Sequence, residues 1–197
     1  ARSGPVPVEI DLRQESRAWS EGQLDLTLVG EAIPIGLLSV IDAGIVEASG
    51  LASVDGVIRG TFADPIPDLD ASITDGALTY LPVGLRLRDI QATLNAGQRR
   101  VKLTKFVART SPLNQVGLIE DRKGSRISVT GATNLAQGFP EELSARVGLD
   151  EAWVMGTYEA AVRLDGQMLV SGKWPKLNVI TDEPIELVTG RAVYNSD

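Results

Sequence analysis

The carboxylates are the first place to look for chemistry. Asp64, Asp68 and Asp70 lie close together in and after the proline-broken stretch Asp64-Pro65-Ile66-Pro67-Asp68. Clustered carboxylates can hold a hard cation such as calcium, but the calcium-loop form needs glycine at its sixth position. Counted from Asp68, that position is Ile73. The three acids therefore read as a solvated turn and strand face. Glu141-Glu142 could serve as a carboxylate pair for acid–base work. Placed just after Pro140, they read instead as the charged opening of a brief helix, where negative side chains favour the dipole. Trp19, Trp153 and Trp174 could form a platform for a flat ligand, yet three anchors so far apart in sequence read as separate core contacts. The chain has no histidine and no cysteine. Thiol chemistry, disulfides, the usual zinc ligand sets and the commonest general base are thereby excluded. There is no Gly-x-Ser-x-Gly, no phosphate loop, no Ser-x-x-Lys and no dinucleotide fingerprint. Gly56-x-x-x-Gly60 falls in a strand and turn and is not a membrane-helix motif. The expectation is a protein that is not an enzyme, with no catalytic residue, no metal and no cofactor.

Composition narrows the partners. The 197 residues carry a net charge of -7 and no basic run. Nucleic acid is not an expected partner, because phosphate binding needs clustered Lys and Arg. Adsorption to anionic headgroups is equally unsupported. No apolar run approaches the ~20 residues that span a bilayer. Ala1-Arg2-Ser3-Gly4 does not open a signal peptide, so the chain reads as a segment of a longer protein. With 20 Gly, 10 Pro and few aromatics, many short strands joined by turns are expected rather than a helical bundle.

The elements that would position these side chains follow from period-two alternation. The central stretch, Gly50 to Val83, reads as strand, turn, strand, turn, strand. Leu69, Ala71 and Ile73 alternate there with Asp70, Ser72 and Thr74, and Asp75-Gly76 predicts a hairpin turn. Before it, Val6, Val8, Ile10 and Leu12 predict a first strand, and Leu24, Leu26 and Leu28 a second. Residues Ile33 to Ser49 break the pattern: Leu37, Leu38, Ile41 and Ile45 fall on one helical face, between Pro34 and Gly50. A short amphipathic helix is predicted there, packed on the sheet interior and plugging or lining it.

After the central stretch, Leu85 and Leu87 alternate with arginines, and the apolar set then moves to Ile90 and Leu94. That slip demands a bulge near Arg88-Asp89. Val101 and Leu103 begin the return strand, with a second slip before Phe106. Ile127 and Val129, then Val147, and finally Val162, Leu164, Met168 and Val170 continue the series, while Asn134 to Glu142 reads as loop or brief helix. Strands that follow one another without helices favour antiparallel meanders. The run from Asp165-Gly166 to Gly172 and Leu177 repeats the skeleton of Asp55-Gly56, Gly60 and Leu69, which suggests stacked repeat units.

The run GLASVDGVIRGTFADPIPDLDASITDGALTYLPVGLRLRDIQATLNAGQRRVKLTKF resembles the repeating sequence of the TamB and AsmA-like family, with Gly60, Pro65, Leu69, Gly76, Gly84, Leu87 and Ile90 matching the layout. VRLDGQMLVSGKWPKLNV looks like the start of another repeat. The resemblance covers roughly Ile33 to the end. It implies a single repeat-built segment over 1-197, with repeat-like units about 50-110 and 160-197, and a half-open β-taco with an apolar concave groove. It also implies a periplasmic location, within a parent anchored in the inner membrane of a diderm bacterium.

The function implied is conduction of phospholipid between the two membranes, in support of outer-membrane biogenesis. The alternative is a scaffold or chaperone for outer-membrane β-barrel and autotransporter assembly with a TamA-like partner. Acyl chains would lie on Leu85, Leu87, Ile90, Leu94, Val101, Leu103, Ile127, Val129, Val147, Val162, Leu164, Met168 and Val170, the inward members of successive strands. The same alternation would serve a sealed sandwich or barrel core equally well.

Overall fold

The computed structural model describes residues 22–37, 39, 42–113, 125–137, 139–157, 160–173 and 176–192. They form ten strands: β1 (Gln23–Pro34), β2 (Ile45–Thr61), β3 (Pro65–Tyr80), β4 (Leu85–Gly97), β5 (Arg100–Pro112), β6 (Arg126–Ala136), β7 (Phe139–Gly156), β8 (Ala160–Lys173), β9 (Lys176–Ile180) and β10 (Glu186–Ala192). All belong to one antiparallel sheet, and from β1 to β8 each strand lies beside its neighbour in sequence. β9 pairs with the end of β8 and β10 with its beginning. The two act as a single edge strand interrupted at residues 181–185. β1 is the opposite edge, and the sheet does not close on itself. The predicted first strand, Val6 to Leu12, lies outside the described residues, as do Trp19 and Trp174.

Strands of this length need local corrections to keep one face apolar. β2 and β7 run for 17 and 18 residues, roughly 55–60 Å at the usual rise per residue. Ala32, Glu47, Asp75, Asp89 and Glu151 take left-handed φ angles between 44° and 58°. Each sits where the pairing register slips. Such bulges insert a residue, bend the strand and restore the alternation. The bulge expected at Arg88-Asp89 is there, with Asp89 at φ 51° and a slip between Arg88 and Gln91. It keeps Leu85 and Leu87 on the face that carries Ile90. The second slip falls between Leu103 and Phe106, also as expected.

The repeated glycine skeleton has a conformational cause. Gly60 and Gly172 have φ of 105° and 133°, values that side chains other than hydrogen strain to reach. Each stands at the mouth of a hairpin and pairs with the residue five positions on, Gly60 with Pro65 and Gly172 with Leu177. A Cβ at either would come within 2.4 Å of Asp64 O or 2.6 Å of Lys176 O.

One end of the sheet is packed and the other is spread. β6 begins at Arg126, opposite Arg109 on β5 and Asp150 on β7. Beyond it, β5 and β7 continue and meet each other directly. Trp153 N donates to Thr110 Oγ1 at 2.8 Å, Thr110 N to Ser125 O at 2.8 Å, and Leu113 N to Gly84 O at 2.7 Å. Leu85, Trp153 and Ala161 pack together there, with Val83 against them. Among the described residues the core is small. Only side chains such as Ile90 (2 % exposed), Ala108 (1 %) and Ala152 (0 %) are sealed from water, and the largest one below 2 % is Ser125.

Four expectations are corrected. The helix predicted over Ile33 to Ser49 does not form at either flank: β1 runs through Pro34, a single 3-10 turn spans Ile35–Leu37, and β2 starts at Ile45. Ile45 pairs with Tyr80 and Val46 with Thr79, since two β-branched residues beside an available strand gain more from the ladder than from a helix broken by Gly36 and Gly44. Leu38 and Ile41 lie outside the described residues. Asp75-Gly76 does not reverse the chain; β3 runs through it to Tyr80. Gly76 faces Ile73 and Ile90 so closely that a Cβ would sit 3.0 Å from each, and the dipeptide makes a bulge instead. Asn134 to Glu142 is mostly strand, with β6 running to Ala136 and β7 starting at Phe139. Glu141 consequently opens no helix: it lies on β7 and its carboxylate pairs with Lys173 at 3.0 Å.

Candidate functional site

Register places the apolar side chains in rows across the sheet. One row runs Gly30, Val54, Ala71, Leu94, Leu103, Gly131, Ala145, Val170, Val179, from β1 to β9. The next runs Ile73, Ala92, Phe106, Val129, Val147, Met168. Neither contains a charged or hydrogen-bonding side chain. All thirteen residues expected on the apolar face lie on it by this pairing. Leu94, Val101, Leu103, Ile127, Val129, Val147, Val162, Leu164, Met168 and Val170 are half-buried, whereas Lys102, Thr104, Ser128, Thr130, Arg146 and Gln167 between them are exposed. Leu85 and Ile90 differ from the rest. At 9 % and 2 % exposure they belong to the packed end rather than to the open length.

The face is wider than the sequence suggested. Leu24, Leu26, Leu28, Val54, Ile58, Leu69, Ala71 and Ile73 extend it across β1 to β3. Their alternation was visible, but glycine and alanine in the same rows contribute nothing to an apolar count. Ile35 was missed altogether. It is 4 % exposed and its Cδ1 lies 3.4 Å from where a Gly76 Cβ would be. The single turn of 3-10 helix thus seats one isoleucine over the Gly76–Ile90 pair, in place of the four-residue helix face that was expected. Of that face, Ile45 sits half-buried on β2.

The polar groups satisfy one another locally. Arg99 donates to both oxygens of Asp64, at 2.7 and 2.5 Å. That side-chain hydrogen bond holds the Asp64 carboxyl below its ordinary value against the opposing effect of desolvation, with the adjacent guanidinium charge acting in the same direction as the bond. Asp70 accepts from Asn95, so two of the three acids considered for calcium, Asp64 and Asp70, are engaged with separate partners. No group of carboxylates suited to a metal ion occurs among the described residues. Trp153 is 6 % exposed, and Arg163 stands over its ring, 6.0 Å from the centroid. Arg163 Nε donates to Glu151 O at 2.8 Å, and its guanidinium pairs with the Glu151 carboxylate. This group fastens the β7 bulge to β8.

The arrangement can offer a long apolar surface and two strand edges, at β1 and at β9/β10, that are unpaired among the described residues. Val29, Val179, Ile180 and Leu187 are 54–62 % exposed along those edges. No protein-family description, curated protein or solved structure matches the chain.

Proposed function

We propose that this chain is a lipid-carrying segment of the TamB and AsmA-like kind, in which phospholipid acyl chains lie along the apolar face while headgroups stay in water. The carrying observation is an apolar face nine strands wide with no second layer over it among the described residues. In a flat single sheet both faces would be comparably wet. Here the apolar members are half-buried and most of the polar members between them along β5 to β7 are exposed, which supports a sheet curled toward its apolar side into a trough. A monomer rarely leaves so large an apolar surface to water, and an acyl chain gains roughly 25 cal/mol for each Å² it buries. Sliding along a uniform trough changes that burial little, so movement needs no covalent chemistry. On this reading the segment works in the periplasm, in a parent anchored in the inner membrane, and serves outer-membrane biogenesis.

The test is a photo-crosslinking residue at Leu164 or Leu103 in cells, with Lys102 and Gln167 as outward controls. Phospholipid captured from the first pair and not the second is the expected result. No lipid adduct at any apolar-face position would refute the reading.

The two edges, unpaired among the described residues, support a second reading, a scaffold for nascent outer-membrane strands with a TamA-like partner, because unpaired backbone groups recruit further strands. Proline at Thr27 in β1 would abolish client binding on this reading and leave lipid capture intact.

A further inference from the structure

We infer a second binding site, for a phosphorylated amine, on the polar face of β2–β4. A cavity of about 320 Å³ opens there, lined by Glu47, Ala77, Thr79, Arg86 and Arg88 together with Leu78 and Leu87. Thr79 and Arg86 are register partners, so their side chains leave the sheet side by side, and Arg88 follows two residues on. The site exists because Glu47 and Asp89 each occupy a left-handed bulge that opens the weave on both flanks of the Thr79–Arg86 pair.

Among the described residues, the two arginines of this cavity have no ion-pair partner. Arg59, Arg99, Arg109 and Arg163 each face a carboxylate, whereas Arg86 and Arg88 hydrogen-bond to no described residue. The two acids nearest them are committed elsewhere. Glu47 Oε2 accepts from Thr79 Oγ1 at 2.9 Å, and Asp89 pairs with Arg109 at 3.2 Å. Two free guanidinium forks suit a phosphate, which each can grip through two parallel hydrogen bonds. Glu47 also lines the cavity, and its carboxylate, which accepts only from Thr79 among the described residues, suits an ammonium. Two positive charges and one negative are matched by a phosphate monoester that carries an amine, and phosphoethanolamine is the simplest such molecule. The volume lies at the low end of the range for small-molecule sites. Leu78 and Leu87, which also line the cavity, belong to the apolar face by register, so binding of the soluble ester is read separately from lipid capture.

Titration of the whole chain with O-phosphoethanolamine, followed by NMR or calorimetry, tests it. Saturable binding is expected, weakened at least tenfold in the R86Q/R88Q double variant. E47Q should bring phosphoethanolamine down to the affinity of inorganic phosphate. The far-UV circular dichroism and urea midpoint of R86Q/R88Q should match the parent, because neither arginine hydrogen-bonds to a described residue, and E47Q, which keeps an acceptor for Thr79 Oγ1, should retain the parent's circular dichroism. Pelleting with phosphatidylcholine vesicles, with and without phosphatidylethanolamine, separates the ligand's sources. Arginine-dependent pelleting only with phosphatidylethanolamine assigns the site to a membrane headgroup, and capture of the soluble ester without pelleting assigns it to a free metabolite. No saturation by either probe, equal binding by the double variant, or phosphate binding as tightly as phosphoethanolamine would overturn the proposal.

Discussion

Deleting the same amount of hydrocarbon at two places on the apolar face should cost very different amounts. Ile90 is 2 % exposed and is enclosed by Gly76, with Ile73 and Ile35 on the same spot. Ile90→Ala removes about three methylene equivalents, worth ~0.8 kcal/mol each when buried, or ~2.4 kcal/mol. The rigid neighbours cannot collapse into the hole, and the cavity brings the total to about 3–4 kcal/mol. Leu103 faces the same side but is only half-buried, with Gly131 and Leu94 as its register partners. Leu103→Ala gives up roughly half the transfer term and leaves an indentation open to solvent rather than a cavity, so about 1 kcal/mol is expected. Urea denaturation of delipidated protein followed by far-UV circular dichroism measures both. With equal m-values, the midpoint shift for Ile90→Ala should be about three times that for Leu103→Ala. If the two substitutions cost the same, Leu103 lies under a roof and the trough is a sealed core.

Other substitutions probe the hinges of the same account. Thr110→Val keeps the shape but leaves the buried Trp153 N–H without its acceptor, and should cost about 1–3 kcal/mol by thermal melts, with Thr110→Ser recovering most of it. Gly60→Ala and Gly172→Ala each force a Cβ onto a carbonyl at positive φ and should lose about 2 kcal/mol or more, whereas Gly36→Ala, whose Cβ would lie no nearer than 3.4 Å to Ala48 O, should be close to neutral in the same urea assay. An NMR titration should find the Asp64 carboxyl below the ordinary carboxylate value, and Arg99→Gln should return it there. Because the folded value is the lower one, this pair supports the fold above the ordinary carboxylate range and the support fades as pH falls through the depressed value.

Strand identity was legible because alternation is a direct imprint of a sheet with one apolar side. Leu24-Leu26-Leu28 and Ala145-Val147-Leu149 needed only counting. The bulge at Asp89 was legible for the same reason, since a frame slip in an otherwise strict alternation has few other causes. Asp75-Gly76 misled because a hairpin turn and a bulge ask for the same left-handed residue. What separates them is the space available at Gly76, which depends on Ile90 from another strand. The segment after Pro34 misled because Leu37, Ile41 and Ile45 fit a helical period by chance, and tertiary pairing of Ile45 with Tyr80 overrode it. Arg86 and Arg88 read simply as the solvated members of a strand. Only the three-dimensional neighbourhood, with Glu47 drawn in from a distant bulge, gives them a possible task.

The nearest-neighbour order of the strands bears on how such a chain can be made. Every ladder from β1 to β8 joins segments adjacent in sequence, so each hairpin can close as soon as its second strand emerges from a ribosome or a membrane pore, without waiting for distant residues. Loop-closure entropy stays small at every step, as in repeat proteins that assemble by propagation. A longer-range lock, Trp153 on Thr110 and Leu85, can set only when β7 has passed the end of β6. A sheet built in this way can be lengthened or shortened by whole hairpins without rethreading, and its two margins remain points of growth.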